Sequence, residues 1–65
     1  MHNRIAEYRK RKGWSQQQLA HALGVAPQRI SEWENGTHMP RVDVALEIAF
    51  HLGCTVETIF YLKSF

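Results

Sequence analysis

The sequence predicts an all-α domain of five short helices. Four glycines, Gly13, Gly24, Gly36 and Gly53, each follow a stretch of helical character and divide the chain into five segments. Within the segments, apolar residues recur at spacings of three and four, as they do on the inner face of a helix. A convincing alternation of apolar and polar residues, which would indicate a strand, does not occur. These two patterns together favour helices throughout.

The length of the chain, 65 residues, allows one domain, 1–65. A domain of this size buries only about 60% of the surface that its unfolded chain exposes, which leaves little room for an enclosed cavity. The single cysteine, Cys54, excludes an internal disulfide, and the apolar runs are too short to span a membrane or to form a signal peptide. We expect a cytoplasmic protein with no membrane contact and no small-molecule ligand or cofactor.

The formal net charge is only +2, but it is unevenly distributed. Basic residues outnumber acidic ones in residues 1–33, and acidic residues outnumber basic ones in residues 34–65. A surface that faces phosphates is basic in this way. For the run from Arg9 to Lys12 alone, a solvated charged helix explains the pattern equally well.

The first two helices are predicted at about residues 3–12 and 16–23. In the first, Ile5 lies on the inner side, beside a basic flank. The second begins after Ser15, and Gln18 follows three residues later, which is the spacing of a capping box. The apolar stripe of the second helix is formed by Leu19, Ala20 and Leu23.

The third helix is predicted at residues 27–35, with Pro27 in the first position, where its missing N–H costs nothing. Ile30 and Trp33, three residues apart, face inward. The fourth helix, 41–52, has the strongest helical periodicity of the chain. Its apolar stripe is Val42, Ala45, Leu46, Ala49 and Leu52.

The fifth helix is predicted at residues 56–62, with Thr55 as its N-cap. Val56, Ile59 and Phe60 supply its inner face. The dipeptide Asn35-Gly36 precedes a polar loop, so it indicates the end of a helix and not a hairpin.

Helices 16–23 and 27–35 are joined by about three residues centred on Gly24, which is the helix-turn-helix arrangement. Ala20 is small enough for the second helix to cross closely, and Gly24 can adopt the left-handed backbone of a tight turn. Many helical hairpins have a glycine turn, so this arrangement alone is weak evidence of function.

The sequence around this turn resembles the Cro and phage-repressor family, also called the XRE family. The matching segments are Ser15-Gln16-Gln17-Gln18-Leu19-Ala20, Leu23-Gly24-Val25 and Ile30-Ser31-Glu32-Trp33-Glu34-Asn35-Gly36. The similarity continues through Pro40, Leu46, Ala49, Leu52-Gly53, Val56 and Ile59-Phe60. It covers nearly the whole chain in order, and it implies a five-helix, lambda-repressor-like domain that binds double-stranded DNA as a transcriptional regulator. We expect a repressor, but the sequence itself does not distinguish a repressor from an activator.

The resemblance also implies roles for individual residues. Gln28 matches the base-reading glutamine of the recognition helix, 27–35, and glutamine can hydrogen-bond both N6 and N7 of adenine. With Ile30 and Trp33 inward, the outward or flanking residues that are expected at base edges are Gln28, Pro27, Ser31, Glu32 and Arg29. Residues expected to contact phosphates are Gln16, Gln17, Asn35, Thr37, His38, Arg41 and Arg9. Arg9 also matches the arginine of a largely buried arginine–glutamate pair, whose acid here is Glu34.

Several positions depart from the usual family pattern. Ala26 replaces the serine or threonine that caps the recognition helix, which costs about 1 kcal/mol of helix stability. Pro27 removes a hydrogen-bonding side chain, so contact with a thymine methyl is the alternative there. Glu32 either accepts from a cytosine N4 or pairs with Arg29 outside the groove. Arg41 replaces a capping serine. The operator sequence is left undetermined by these changes.

Apolar residues remain that a small monomer does not obviously cover. Phe50 and Val44 lie outside the predicted stripe of the fourth helix. Further apolar groups of the tail are Tyr61, Leu62 and Phe65. Such surface marks an association site more often than a cofactor pocket. We expect a homodimer whose interface includes Val56, Ile59, Leu62 and Phe65. The alternative is that the tail folds back over the protein's own helices.

Other chemistries are disfavoured by spacing. His51 and Cys54 resemble half of a metal site, but no further ligands have matching spacing. Ser15 and Ser31 lack the adjacent base that a nucleophile needs. We therefore expect no metal site and no catalytic residues. The main rival function is a protein-binding module, such as an antitoxin or anti-regulator, that uses the same fold.

Overall fold

The computed structural model describes residues 2–61, and these form five helices and one short antiparallel ribbon. The all-α prediction is confirmed, since both strands are only two residues long. Leu62 and Phe65 of the expected dimer interface lie outside the described residues. The elements in chain order are β1 His2–Asn3, α1 Ile5–Lys12, α2 Gln16–Leu23, α3 Pro27–Asn35, α4 Val42–Leu52, α5 Val56–Ile59 and β2 Phe60–Tyr61.

The bounds of α2 and α3 coincide with the predicted bounds because their ends are fixed by local chemistry. The Ser15 hydroxyl accepts from the backbone N–H of Gln18 at 3.1 Å, and the Gln18 side chain accepts from the backbone N–H of Ser15 at 2.8 Å. At the other end of α2, Gly24 adopts a left-handed backbone with φ of 72°. Helix α3 then begins at Pro27, whose missing N–H is harmless in the first turn.

The ribbon pairs the two ends of the described chain and was missed by the sequence prediction. β1 and β2 are antiparallel, with Asn3 opposite Phe60, and the Arg4 N–H donates to the Ile59 carbonyl at 2.8 Å. The ribbon shortens both terminal helices: α1 begins at Ile5 rather than residue 3, and α5 ends at Ile59. Strands of two residues are too short for an alternating pattern to appear in the sequence.

The core draws one fully buried large aliphatic side chain from every helix. These are Ile5, Leu19, Ile30, Ile48 and Ile59, in chain order. Trp33, Leu52 and Phe60 extend this cluster, and Trp14 and Val44 pack against it while remaining half-buried. Because each helix contributes an anchor, the core fixes the position of every helix relative to the others.

The inner face of α4 differs from the predicted stripe. Ala45, Ala49 and Leu52 are buried as expected, and Ile48, which the prediction omitted, is fully buried. Val42 and Leu46 are instead 77% and 56% exposed. Apolar residues occupy most positions of α4, so periodicity alone did not decide which face turns inward.

No helix within residues 2–61 has the length and apolar character needed to cross a membrane.

Candidate nucleic-acid interface

Helices α2 and α3 cross closely over a short turn. Ala20 is 1% exposed at the crossing, and a small side chain there lets the two backbones approach. The turn is held by backbone hydrogen bonds from Gly24 to His21, at 3.2 Å, and from Val25 to Ala20, at 3.0 Å. The two helices therefore form the rigid helix-turn-helix unit that the sequence predicts.

Helix α3 has one face in the core and another in solvent. Ile30 is fully buried and Trp33 is 7% exposed, so α3 is anchored along its inner side. On its outer side Pro27, Gln28 and Arg29 are exposed, and Asn35 is exposed at its end. Ser31 and Glu32 are half-buried between these faces. Of the expected base-contacting residues, Pro27, Gln28 and Arg29 thus lie on the accessible side of α3, and Ser31 and Glu32 lie at its margin.

The outer side chains of α3 form a small polar cluster around Glu32. The Gln28 side-chain amide donates to the Glu32 carboxylate at 3.4 Å, and the Arg29 guanidinium lies 3.9 Å from the same carboxylate. Both contacts are long and partly exposed, so a competing polar ligand can replace them at small cost. Glu32 is partly neutralised by Arg29, which lessens its repulsion of an anionic ligand.

The first turn of α2 offers backbone amides and two glutamines. Gln17 is exposed and Gln16 is half-buried, while Gln18 is committed to the capping box. The N-terminal end of a helix carries partial positive charge and favours anions. The predicted phosphate contacts Gln16 and Gln17 therefore lie at an end of α2 suited to them.

Arg9 and Glu34 form a buried ion pair between α1 and α3. Arg9 Nε donates to Glu34 Oε2 at 2.7 Å, Nη2 donates to Oε1 at 3.3 Å, and Nη1 donates to the Trp14 carbonyl at 2.8 Å. The two side chains are 10% and 8% exposed. This is the pair that the family resemblance implied. It also corrects the expectation that Arg9 contacts phosphate, because the guanidinium is buried and engaged by internal acceptors.

Gln16 joins this pair, a contact that the sequence analysis missed. Its side-chain amide donates to Glu34 Oε1 at 2.9 Å, so Glu34 links α1, α2 and α3. An amide nitrogen carries two hydrogens, so this bond leaves a second N–H for another acceptor. The sequence offers no local pattern for a contact between residues that are 18 positions apart.

The loop after α3 places a basic groove beside the recognition helix. The N–H groups of Thr37 and His38 both donate to the Glu32 carbonyl, at 3.0 and 3.4 Å, which ties the loop to the end of α3. Thr37, His38 and Arg41 are exposed. The residues lining the open groove are Val25, Ala26, Arg29, Trp33, His38, Met39, Pro40, Arg41 and Val44.

Two of the expected dimer residues, Val56 and Ile59, lie within the described residues. Ile59 is fully buried inside the monomer, which corrects its assignment to an interface: its side chain packs in the core. Val56 is half-buried at the surface of α5. Of these two residues, Val56 is the one that remains accessible to a partner.

Within residues 2–61, no group of three or more histidine, cysteine, aspartate or glutamate side chains is arranged as metal ligands would be. Burial raises the pKa of the Cys54 thiol above its ordinary value, so the thiol is neutral at physiological pH.

Comparison with known proteins identifies the family of this chain. A family described as Helix-turn-helix matches residues 5–59, which span α1 to α5. The chain belongs to this XRE-type helix-turn-helix family. The chain is similar to the uncharacterised HTH-type transcriptional regulator YgzD of Bacillus subtilis, with 33% identity over 64 residues, covering 98% of this chain and 97% of YgzD.

Archaeal relatives and one solved structure show the same similarity. An uncharacterised HTH-type transcriptional regulator of Methanothermobacter thermautotrophicus is 40% identical over 65 residues, covering 98% of this chain and 94% of the relative. The crystal structure of SinR, a master regulator for biofilm formation, in complex with DNA superimposes with a TM-score of 0.77 at 34% identity. That match covers 85% of this chain and 89% of the SinR chain.

Proposed function

We propose that the chain is a sequence-specific transcriptional regulator that inserts α3 into the major groove of double-stranded DNA. The observation that carries this proposal is the division of α3 into a buried face, Ile30 and Trp33, and an accessible polar face around Gln28. A major groove admits an α-helix whose outer side chains hydrogen-bond base edges. The similarity to SinR, which was solved in complex with DNA, supports the same mode of binding.

Base recognition falls to the outer side of α3 in this proposal. Gln28 makes the main sequence-specific contact, because a glutamine amide can both accept and donate hydrogen bonds at an adenine edge. Arg29 and Ser31 contribute hydrogen bonds, and Pro27 contributes an apolar contact. Glu32 either accepts from a cytosine amino group or stays paired with Arg29, with which it is already in contact at 3.9 Å.

Phosphate contacts come from two segments next to α3. One is the N-terminus of α2, with Gln16 and Gln17, and Gln16 contacts Glu34 of α3. The other is the end of α3 and the loop that follows it, which supply further polar and cationic groups. These are Asn35, Thr37, His38 and Arg41, all of which are exposed. Phosphate contacts from both segments fix the register of the recognition helix in the groove.

The regulator acts as a cytoplasmic homodimer on a palindromic operator. Two protomers bind half-sites about 34 Å apart, one turn of the duplex, so both recognition helices enter the groove on the same side. Tethering two weak modules raises the affinity beyond that of either alone. Occupancy of the operator then blocks polymerase, which makes repression the expected outcome.

In vitro selection from a random duplex library tests the function directly. The proposal predicts enrichment of an inverted repeat with half-sites one helical turn apart. Binding to the enriched duplex should weaken steeply with added salt, because phosphate contacts release counterions. A library that shows no enrichment over several rounds, with folded protein at low salt, would overturn the proposal.

A second candidate is a protein-binding module such as an antitoxin or anti-regulator. The exposure of Val42, Leu46 and Phe50 on α4 favours it, because such a surface suits a protein partner. In that case α3 is idle. An electrophoretic shift assay with random genomic DNA at low and moderate salt separates the two candidates, since an idle α3 predicts no shift.

A further inference from the structure

Three exposed apolar side chains form a straight stripe along α4. Val42, Leu46 and Phe50 are 77%, 56% and 81% exposed. Their spacing of four residues places them along one side of the helix, over a length of about 12 Å. We refer to these three residues as the α4 face.

The α4 face continues onto α5 through Val56. This side chain lines one shallow groove together with Leu46 and Phe50, and a second groove together with Val42 and Met39. Met39 is itself 41% exposed. The apolar surface is therefore continuous from the loop before α4 to the start of α5. It lies outside the outer side of α3, with which it shares no residue.

The core does not need the α4 face. The opposite side of α4 already supplies its buried side chains, which belong to a cluster that includes residues of all five helices. These side chains are Ala45, Ile48, Ala49 and Leu52. Large apolar side chains at positions that the monomer leaves in solvent point to burial against another molecule.

We propose that the α4 face packs against the same face of a second copy of this chain, with the two α4 helices antiparallel about Leu46. The proposal deepens the proposed function, because it names the surface that forms its dimer. It also places the interface on α4, since Ile59 of the expected interface is buried.

The arrangement of the stripe supports a second copy as the occupant. Leu46 lies midway between Val42 and Phe50, so a two-fold axis at Leu46 brings Phe50 of each copy opposite Val42 of the other. The largest side chain then meets the smallest, which is the alternation that lets two helices interdigitate. An interface of this kind is isologous, and it closes at two copies.

The area of the surface fits a small dimer. A large side chain presents on the order of 150 Å² when it is fully exposed, so the exposed fractions of the α4 face and Met39, with a share from Val56, give roughly 400 Å². A standard interface buries about 800 Å² on each partner, of which a little over half, about 450 Å², is non-polar. The patch therefore supplies most of the apolar share of one such interface.

The charges around the α4 face give the dimer a distinctive dependence on salt. Glu47 is exposed along one edge of the stripe, together with Asp43, which pairs with Arg41 at 3.4 Å. Glu57 lines the grooves beside Val56. A two-fold axis at Leu46 places the acidic edge of one copy beside the acidic edge of the other, and the like charges repel each other. Added salt screens this repulsion, so it should tighten the dimer while it weakens DNA binding.

Sedimentation equilibrium without DNA tests the interface. Wild type should be a dimer at tens of micromolar, and Leu46→Arg should be a monomer at the same concentration. His21→Arg, which introduces an arginine at an exposed position of α2, is the matched control and should stay dimeric. Circular dichroism melting checks that each variant is folded, and Phe50→Gln serves as a second disrupting variant. A folded Leu46→Arg that stays dimeric, or a monomeric wild type, would overturn the proposal.

Cysteine cross-linking tests the antiparallel register. In a Cys54→Val background, Leu46→Cys should form a disulfide-linked dimer under mild oxidation. A mixture of Val42→Cys and Phe50→Cys proteins should cross-link several-fold more than either protein alone, because these positions meet only across the axis. Cross-linking of Val42→Cys to itself at the rate of the mixture would contradict the register.

The outcomes separate this inference from the proposed function. If wild type is a dimer, Leu46→Arg is a monomer and neither protein shifts duplex DNA, the proposed interface is supported and the proposed DNA binding is contradicted. If wild type binds DNA but is a monomer in solution, DNA binding is supported and the proposed α4 interface is contradicted.

Discussion

The outer side of α3 and the α4 face are both exposed, yet they are held in opposite ways. Around α3, polar contacts fix the geometry: Glu34 receives hydrogen bonds from Arg9 and Gln16 and so links three helices. The α4 face has no comparable bracing among the described residues, and its apolar side chains extend from a helix anchored only by its opposite side. The contrast teaches that α3 is oriented before it meets a ligand, whereas the α4 face would be completed only in the dimer that we propose.

Breaking the buried ion pair should give the largest effect on the α3 side. Arg9→Met leaves the Glu34 carboxylate buried without its charge partner, and this should cost about 3–5 kcal/mol of unfolding free energy. Urea denaturation measures the change. Arg11→Ala, which removes the exposed pair with Glu7, is the control and should cost less than about 1 kcal/mol.

The double variant Arg9→Met with Glu34→Met sharpens this result. It removes both charges, so most of the lost stability should return. A single Arg9→Met substitution that costs no more than Arg11→Ala would show that the pair does not hold α1 to α3.

The two sides of α4 should respond differently to truncation. Ile48→Ala removes a fully buried side chain and should cost about 2–5 kcal/mol. Leu46→Ala, on the exposed side, should change the stability of the monomer by less than about 0.5 kcal/mol. Thermal or urea unfolding at protein concentrations below the dimer dissociation constant measures both. Equal losses at the two positions would contradict the placement of the α4 face.

Changes at the N-caps of α2 and α3 should have smaller effects on stability, and the two effects should have opposite signs. Ala26 has the extended backbone of an N-cap but no side-chain acceptor, so Ala26→Ser should stabilise the domain by about 1 kcal/mol. Ser15→Ala removes the acceptor of the capping box on α2 and should lose about the same amount. Denaturation midpoints with unchanged slopes check both values. A destabilising Ala26→Ser would mean that α3 begins elsewhere.

Cys54 should give the smallest effect, visible only at alkaline pH. Burial raises the pKa of its thiol, so the unfolded chain loses this proton before the folded chain does. The contribution of the neutral thiol is complete below about pH 8.5, the ordinary thiol pKa, and declines as the pH rises above it. Wild type should therefore lose stability relative to Cys54→Val as the pH rises. Parallel curves in urea denaturation would contradict this.

Local chemistry made parts of this fold predictable. The limits of α2 and α3 follow from the Ser15–Gln18 capping box, from Pro27 and from the glycine that ends each helix. Ile30 and Trp33 were assigned to the inner side of α3 from their spacing alone, and the structure buries both. In α3 the apolar residues are few, so only one face can turn inward.

Contacts between segments that are distant in the chain could not be predicted from the sequence. The contact between Gln16 and Glu34 depends on how α2 crosses α3, and the pairing of β1 with β2 depends on how the helices place these two segments side by side. In α4, apolar residues lie on most sides of the helix, so their spacing does not identify one inner face. For this reason the predicted inner stripe wrongly includes Leu46 and leaves out Ile48. The correct choice required the tertiary packing.

The central claim is that the outer side of α3 reads DNA sequence through Gln28. The affinities of wild type and Gln28→Ala for the selected operator and for random duplex, at one salt concentration, test it most directly. Gln28→Ala should lose about 1–3 kcal/mol on the operator and almost nothing on random DNA. Equal losses on the two duplexes, or none on the operator, would contradict the claim.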